Sequence, residues 1–487
     1  MNKIKYSKYA NIYVLIILLF LLLVAAITLI KHIVIDNINT NAKAVAQDDL
    51  IYFIMTDRFN NGNTDNDFEV DKNDPLAFHG GDFRGIMNKL DYIKDLGFTT
   101  MWITPVFDNE PRGYHGYWAA DFYKTEEHFG TMEDLKELVS AAHSKGIKVI
   151  LDMVVNHTGY RHPWLNDPKY KHWFNPKMEI TDWKNQQQVE NGWLAGLPDL
   201  NQNNPETKQY LIDMAKWWIE QTGVDGYRLD TVKHVPKDFW RDFNAEIKKE
   251  YPDFYLIGEV FENDINYIAS YSETGIDAFL DFPIYQAITD VFGGYGYATK
   301  LAYVIEKSSV YKNRHLMGTF IDNHDVQRFI SRTISYRDER LKQAIAFMMT
   351  YTGIPIMYYG TEIGMEGKSD PDNRRDMDWS VQSELTDFIK NLVQIRKSNK
   401  ALTHGDIKIL NAHSSFISYS RSYKNNTVIA AFNVSNISKK FEIQISDSKN
   451  KRNKIYKDLL NNREFTAHDG KIIMEMDPRQ VLILVQK

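Results

Sequence analysis

Eight short apolar runs recur along the chain from residue 50 onward, and amphipathic segments separate them. The runs cover residues 51–56, 99–104, 147–155, 224–230, 254–260, 276–282, 317–323 and 354–359. Between the second and third runs, Thr131 and Asp134 have capping-box spacing, and Gly146 follows the last residue of an apolar helical face. Strands that alternate with such helices form parallel βαβ units, and eight of them predict an α/β fold, the closed (β/α)8 TIM barrel. A doubly wound open sheet is the alternative that the runs alone leave open.

Two regions depart from this alternation. Only the last part of residues 156–223 has the pattern of a crossover helix, which predicts an inserted subdomain after strand 3, at about 157–204. After a final helix the pattern changes to alternating apolar and polar residues, which predicts a C-terminal antiparallel β-sandwich domain over 401–487. The catalytic barrel with its insertion would then span residues 47–400.

The amino end predicts a membrane anchor or signal segment over residues 1–46. Three lysines precede an apolar run at 12–30, which is just long enough to cross the hydrocarbon core of a bilayer as a transmembrane helix. A cleavable signal peptide is the alternative, with small residues at 43–48 as its cleavage site, although the run exceeds the usual h-region. Because the lysines come first, either interpretation places the protein outside the cytoplasm, anchored at the extracellular face or secreted.

The composition argues against several classes of function. The net charge of -6 shows no basic bias, which argues against a nucleic-acid partner. The chain contains no cysteine, so it has no disulfide, no thiolate nucleophile and no cysteine-ligated metal.

Polar side chains follow four of the apolar runs at the point where each run ends. They are Asp152, Asn156 and His157 around the end of the third run, Arg228 and Asp230 in the fourth, Glu259 at the end of the fifth, and His324 and Asp325 after the seventh. Arg228 and Asp230 are two residues apart, so they share one face of a strand, and the barrel interior is the natural place for that face. A structural ion pair is the alternative for this pair alone. Four such strand ends together favour an active site at the upper rim of the barrel.

The residue types favour glycoside hydrolysis. Carboxylates in a cleft can attack a sugar and protonate the leaving oxygen without a serine or cysteine nucleophile. A guanidinium beside Asp230 favours the ionised carboxylate, which suits a nucleophile. Aromatic residues make up 13% of the chain and offer flat apolar faces for sugar rings.

With these residues in place, the chain resembles the α-amylase family, glycoside hydrolase family 13, over about residues 50–487. The matching stretches are DMVVNH (152–157), LPDLN (197–201), GYRLDTVKH (226–234), GEV (258–260), FIDNHD (320–325) and GIPIMYYG (353–360). Their order and spacing agree with the family pattern, and jointly they are very specific.

The resemblance implies a role for each matching residue. Asp230 would be the nucleophile, Glu259 the general acid and base, and Asp325 the group that stabilises the distorted sugar, with retention of anomeric configuration. The implied substrate-binding residues are Tyr117, His157, Arg228, Lys233, His234, His324, Asp370 and Arg374. For residues 233, 234, 370 and 374 the alternative is a solvated loop charge.

Structural calcium ions are also implied. The loop at 60–67 alternates oxygen-bearing side chains around a glycine, as Ca²⁺ prefers. It resembles the calcium loop of cyclodextrin-forming and cyclodextrin-degrading relatives, whose ligands would here be Asn61, Asn63, Asn66, Asp67, Gly80 and Asp82. A second family site would use Asn156, Asp199 and the His234 carbonyl. An Asn/Asp turn without a metal is the alternative for the first site.

The resemblance therefore predicts an α-amylase that cleaves α-1,4-glucosidic bonds in starch and maltodextrins. The LPDLN stretch favours this activity, and a cyclomaltodextrinase, neopullulanase or glucan transglycosylase is the runner-up. A non-catalytic, membrane-anchored partner subunit of an amino-acid transporter is the alternative of another class. The three carboxylates and the absence of cysteine argue against that alternative.

Overall fold

A computed structural model describes residues 44–445 and 453–487. The predicted anchor or signal segment at 12–30 lies outside these described residues. Within them, no helix is both long enough and apolar enough to cross a membrane.

Eight parallel strands form the central sheet, and a two-stranded hairpin lies beside it. The strands up to residue 358 are β1 (Ile51–Ile54), β2 (Thr100–Ile103), β3 (Phe107–Asn109), β4 (Ala119–Thr125), β5 (Lys148–Met153), β6 (Gly226–Leu229), β7 (Tyr255–Gly258), β8 (Ala278–Phe279), β9 (Gly318–Thr319) and β10 (Ile354–Tyr358). The parallel order is β8-β7-β6-β5-β2-β1-β10-β9. A bridge between Leu280 and Gly318 joins the two end strands, and the Asp281 N–H donates to the Gly318 carbonyl (2.9 Å). The sheet therefore closes, which confirms the TIM barrel and excludes the open doubly wound sheet.

Helices cover the outside of this barrel. Those described are α1 (Thr56–Phe59), α2 (Phe83–Asn88), α3 (Leu90–Leu96), α4 (Met132–Ser144), α5 (Gln186–Asn191), α6 (Pro205–Thr222), α7 (Lys237–Glu250), α8 (Ile265–Ser270), α9 (Phe282–Gly293), α10 (Thr299–Lys307), α11 (Arg337–Thr350), α12 (Glu384–Ser398) and α13 (Lys400–His404). Helix α4 begins with the predicted capping box of Thr131 and Asp134, and it buries its predicted apolar face. The Tyr227 hydroxyl donates to the Ala215 carbonyl of α6 (2.6 Å), so this residue of β6 faces the helices.

Two barrel strands are much shorter than the apolar runs that predict them. The Asp281 carboxylate accepts from the Ile284 N–H (3.2 Å) and caps α9 directly after β8. Beyond β9, the Asn323 side chain accepts from the Asp325 N–H (2.8 Å) and turns the chain. In both places a side chain competes with the strand ladder for backbone groups and ends the strand early.

The hairpin β3–β4 is absent from the sequence prediction. Its pairing contains two register shifts, between Phe107 and Asp108 and between Asp108 and Asn109, so its residues do not alternate cleanly. The turn between these strands carries Tyr117 into the mouth of the barrel.

The long connection between β5 and α6 contains α5 and short 3-10 turns, at Pro163–Asn166, Pro168–Trp173 and Leu194–Gly196. An aromatic cluster attaches it to the barrel. The Trp164 ring lies 5.0 Å from the ring of Trp173, and the Trp173 ring lies 5.2 Å from that of Tyr210 on α6.

The antiparallel pairing predicted for the carboxyl-terminal part is confirmed, but it forms a single sheet and not the two separate sheets of a sandwich. Its strands are β11 (Asp406–His413), β12 (Phe416–Tyr423), β13 (Asn426–Asn433), β14 (Lys439–Gln444), β15 (Lys454–Asp458), β16 (Glu464–His468), β17 (Lys471–Met476) and β18 (Val481–Gln486). Hydrogen bonds join all eight into one continuous sheet, and the Asn411 side chain on β11 donates to the Glu442 carbonyl on β14 (2.9 Å). The sheet thus curls until its two end strands meet. It packs on the barrel where the Tyr419 hydroxyl bonds to Thr350 Oγ1 of α11 (2.6 Å).

Candidate active site

The carboxyl ends of the barrel strands open into a cleft of about 430 Å³. Asp230, Glu259 and Asp325 line it together, because the ends of parallel strands meet at one rim of a barrel. The predicted substrate-binding residues that also line the cleft are Tyr117, His157, Lys233, His234, His324, Asp370 and Arg374. Arg228, the remaining predicted residue, lies fully buried below them.

Arg228 contacts three carboxylates. Its Nη1 donates to Asp230 Oδ1 (2.6 Å) and to Asp152 Oδ1 (2.8 Å), and its Nη2 lies 2.6 Å from Glu259 Oε1. A planar guanidinium with several donors fixes the orientation of the groups that it contacts. One buried cation thus holds Asp230 and Glu259 side by side.

Asp152 belongs to this group, although the resemblance assigned it no role. Its Oδ2 accepts hydrogen bonds from the Tyr117 hydroxyl (2.7 Å) and from Trp102 Nε1 (3.2 Å). Its position at the end of the third apolar run was the signal in the sequence. Asp152 links Arg228 to Tyr117 and so ties the floor of the cleft to the hairpin turn.

Glu259 has the environment of a proton donor. Burial, together with the negative charges of Asp230 and Asp325, raises the pKa of Glu259 to about 8 in spite of the Arg228 charge. The Thr231 N–H donates to Glu259 Oε2 (3.1 Å). At neutral pH this carboxyl group is therefore protonated and available to a leaving oxygen.

Asp325 lines the same cleft from the loop after β9. Its Oδ2 is 3.3 Å from His324 Nε2, and its Oδ1 is 3.4 Å from Arg374 Nη2. Arg374 Nη1 lies 3.2 Å from Asp370 Oδ1, and Arg374 Nε donates to the His324 carbonyl (2.9 Å). The arginine thus joins the two loops that carry these residues.

Two of the three predicted histidines, His157 and His324, are held neutral beside Tyr117. Burial lowers the pKa of His157 and of His324 below the usual value of 6.5. His157 Nε2 donates to the Tyr117 carbonyl (3.2 Å), and the rings of His324 and Tyr117 stack with centroids 5.2 Å apart. Neutral imidazoles and a phenol ring form a wall that can both hydrogen-bond and stack on a sugar.

Lys233 and His234 follow β6 on the other side of Glu259. Lys233 Nζ donates to the Phe261 carbonyl (2.7 Å), and His234 Nδ1 donates to the Val189 carbonyl (2.9 Å). The side chains of Phe261 and Trp183 also line the cleft, and they remain 47% and 57% exposed. Large exposed aromatic side chains in a cleft are well suited to stack on sugar rings.

Sequence reasoning did not assign several lining residues. They are His115, Trp118, Tyr160, Trp183, Leu194, Ala195, Leu197, Thr231 and Phe261. Leu197 and Thr231 lie within the matching stretches LPDLN and GYRLDTVKH, and the aromatic residues of this set lie in aromatic-rich segments that flank the motifs.

The first predicted calcium loop brings some of its residues together. Asn61 Nδ2 donates to both carboxylate oxygens of Asp67 (2.9 and 2.7 Å), and Asn66 Oδ1 is buried without a partner. Gly80 adopts φ +88°, and a Cβ there would lie 2.7 Å from Asp67 Oδ1. Only glycine fits this close approach.

The other two residues of that loop have local roles. Asp82 accepts from the N–H groups of Gly62 (2.9 Å), Asn63 (2.8 Å) and Gly85 (2.6 Å), and Asn63 Oδ1 accepts from the Asp65 N–H (3.1 Å). Their side chains therefore stabilise the turn and the start of α2.

The second predicted site has the features of a cation site. Asn156 Oδ1 and Asp199 Oδ1 are both buried without a hydrogen-bond partner, and burial raises the pKa of Asp199 well above its usual value. A backbone bridge between His157 and Asp199 brings the two segments together. Among the described residues no three His, Cys, Asp or Glu side chains cluster as metal ligands, so amide and carbonyl oxygens would have to contribute.

The described geometry agrees with the comparisons to known proteins. The family model of the α-amylase catalytic domain matches residues 53–401. The chain therefore belongs to the α-amylase family, and it is a glycoside hydrolase. Asp230, Glu259 and Asp325 line one cleft, which argues against the non-catalytic partner subunit, itself an amylase-like protein.

Individual relatives are similar over most of this chain. The crystal structure of an Anoxybacillus α-amylase is 48% identical, with a TM-score of 0.87, and the match covers 90% of this chain and 98% of that one. A β/α-amylase of Paenibacillus polymyxa is 39% identical over 90% of this chain, but the match spans only 38% of that protein. A cyclomaltodextrinase of Thermoanaerobacter pseudethanolicus is 33% identical over 79% of this chain and 70% of its own length.

Proposed function

We propose that this protein is an α-amylase that hydrolyses α-1,4-glucosidic bonds of starch and maltodextrins with retention of configuration. The observation that carries the proposal is the single buried guanidinium of Arg228, which contacts both Asp230 and Glu259. Retaining glycosidases need two carboxyl groups about 5 to 5.5 Å apart. Asp230 and Glu259 lie close together because each contacts a terminal nitrogen of the same guanidinium, at 2.6 Å in both cases, which supports the retaining mechanism.

In the first step, Asp230 attacks the anomeric carbon and Glu259 gives its proton to the departing glycosidic oxygen. Arg228 orients Asp230 through a hydrogen bond to its carboxylate, whereas burial keeps Glu259 protonated. Asp325 faces the same sugar and stabilises its positive charge in the transition state.

In the second step, Glu259 has lost its proton and acts as a base. It removes a proton from water, which attacks the anomeric carbon and releases Asp230 from the glycosyl-enzyme. The two displacements at the same carbon return the original configuration. The stacked rings of Tyr117 and His324 hold the sugar during both steps.

A cyclomaltodextrinase or neopullulanase activity is the second candidate. It is favoured by the similarity to the Thermoanaerobacter cyclomaltodextrinase and by the Asn61–Asp67 loop. The Anoxybacillus α-amylase is more similar in sequence and nearly completely covered, which supports the first candidate.

Product analysis distinguishes the two candidates. The purified protein is incubated with soluble starch, cyclodextrins and pullulan, and the anomer of the first product is followed by NMR. An α-amylase releases α-anomeric maltooligosaccharides fastest from starch, whereas faster cleavage of cyclodextrin would favour the second candidate. Asp230→Asn serves as the control for contaminating activity, because loss of a nucleophile lowers kcat by several orders of magnitude.

We also propose calcium as a structural ion. Asn156 Oδ1 and Asp199 Oδ1 are buried without a hydrogen-bond partner, which supports a calcium site between them. The cluster of Asn61, Asn66 and Asp67 supports a second calcium site. A bound cation would stabilise the long connection and the loop at 60–67, at a distance from the reacting atoms.

The sequence at the amino end supports a location outside the cytoplasm, with residues 12–30 as an anchor. Fractionation of cells that express the full chain tests this part of the proposal. An anchored protein sediments with membranes and needs detergent for release, and a cleaved one appears in the medium without residues 1–46.

A further inference from the structure

Helix α5, in the long connection after β5, lies against the turn that follows β6. Gln186 Nε2 donates to the Lys233 carbonyl (3.1 Å), and His234 Nδ1 donates to the Val189 carbonyl (2.9 Å). Lys233 and His234 project from this turn into the cleft. Helix α5 therefore fixes the backbone from which both side chains extend.

This turn is strained, and it touches the proposed proton donor. Thr231 has φ 48° and ψ 40°, a left-handed conformation that is unfavourable for a β-branched residue. In that conformation its N–H points at Glu259 Oε2 (3.1 Å), and the Val232 N–H donates to the Glu259 carbonyl (2.9 Å). A strained backbone persists only where its surroundings hold it.

The side chain of Gln186 is held by contacts on several sides. Its Oε1 accepts from the Tyr267 hydroxyl (2.6 Å), so its amide nitrogen must face the other way. There the nitrogen meets the Lys233 carbonyl, Glu190 Oε1 (2.8 Å) and the Tyr271 hydroxyl (3.3 Å). The direction of the bond to the turn is thus set by residues of two other helical segments.

We propose that Gln186 is a positioning residue for the leaving-group side of the cleft. Through the Lys233 carbonyl it holds the turn at 231–234, and through this turn it keeps the Thr231 N–H on Glu259 and the Lys233 side chain beside the departing sugar. The inference rests on the proposed glycosidase mechanism. It assigns to the long connection a part in proton transfer to the leaving oxygen.

The test compares two substrates with different demands on the proton donor. Cleavage of a linear maltooligosaccharide releases a sugar, whose oxygen must be protonated as it departs. Cleavage of an aryl maltooligoside releases a phenolate, which is stable enough to depart with little help from a proton donor. We expect Gln186→Ala to lower kcat/KM about tenfold on the oligosaccharide and less than twofold on the aryl substrate. Gln187→Ala is the matched control, because Gln187 lies next in the same helix and is exposed.

A second readout is the pH dependence of kcat/KM on the oligosaccharide, in particular the pH at which the rate falls on the basic side of the profile (the basic limb). The Thr231 N–H stabilises the ionised form of Glu259, so loosening the turn raises the pKa of that carboxyl. The basic limb should therefore move to higher pH in Gln186→Ala and stay in place in Gln187→Ala. A merely structural role for Gln186 would leave this limb unchanged.

A melting curve accompanies each variant. If Gln186→Ala does not fold, Gln186→Glu replaces it, because glutamate keeps the length and the acceptor for Tyr267 but cannot donate to the Lys233 carbonyl. Equal losses on both substrates, or rates within twofold of wild type on both, would overturn the inference. A wild-type protein inactive on both substrates would overturn the proposed function itself, which is a different result.

Discussion

Replacing Glu259 by glutamine should make the protein more resistant to unfolding as the pH rises, although it removes the proposed proton donor. Burial raises the pKa of Glu259 from 4.5 to about 8. The unfolded chain therefore ionises this carboxyl near pH 4.5, but the folded chain keeps it protonated until about pH 8. The stability that Glu259 contributes is fully present below pH 4.5 and is lost as the pH rises toward 8.

The size of the effect follows from this difference. One pKa unit corresponds to about 1.4 kcal/mol, so between pH 5 and pH 8 the wild type should lose about 4 kcal/mol relative to the variant. The glutamine side chain has nearly the shape of the protonated acid and does not titrate, so its own contribution stays constant.

Urea denaturation at pH 5, 6, 7 and 8, followed by tryptophan fluorescence, measures the free energy of unfolding of both proteins. Glu306→Gln, on the exposed side of α10, is the control, and its difference from wild type should change little with pH. If the advantage of Glu259→Gln is the same at all four pH values, Glu259 is already ionised in the folded protein. An ionised Glu259 has no proton to give, so this result would exclude it as the proton donor at neutral pH.

Two further predictions concern the active site, and a third concerns the proposed calcium site at Asp199. The kcat/KM of the wild type on maltooligosaccharides should fall about tenfold per pH unit above about 8, and a rate that stays flat to pH 10 would exclude Glu259 as the acid. Arg228→Met should lower the free energy of unfolding by about 3–5 kcal/mol in urea at pH 7, because buried carboxylates lose their cation; a loss below 1 kcal/mol would contradict its role. Chelation of calcium should lower the Tm of the wild type more than that of Asp199→Ala, which keeps only the other proposed site, and equal shifts in both would exclude a calcium ion at Asp199.

Most of the barrel could be predicted from the sequence. The apolar runs identified all eight barrel strands, and the two-residue spacing of Arg228 and Asp230 predicted that both face the interior. The hydrophobic pattern of a strand involves only residues that are neighbours in the sequence, so it can be recognised without knowledge of the fold. The hairpin β3–β4 escaped prediction because its bulged strands break the alternation that identifies a strand.

The active-site carboxylates could also be predicted, because strand ends of a parallel barrel gather at one rim. The contacts that adjust the chemistry of these carboxylates could not be predicted. Asp152 binds Arg228 and the Thr231 N–H binds Glu259 between different strands, and Trp183 reaches the cleft from an irregular segment. No periodicity relates such residues in the sequence.

The sequence by itself determined the class of fold and the identity of the three carboxylates, because strand patterning and short motifs are properties of neighbouring residues. Only the tertiary structure decided which carboxyl group is protonated, since the pKa of Glu259 depends on burial and on charges brought from other strands. It also decided that α5 supports the turn beside Glu259, because contacts between residues far apart in the chain exist only once the chain has folded.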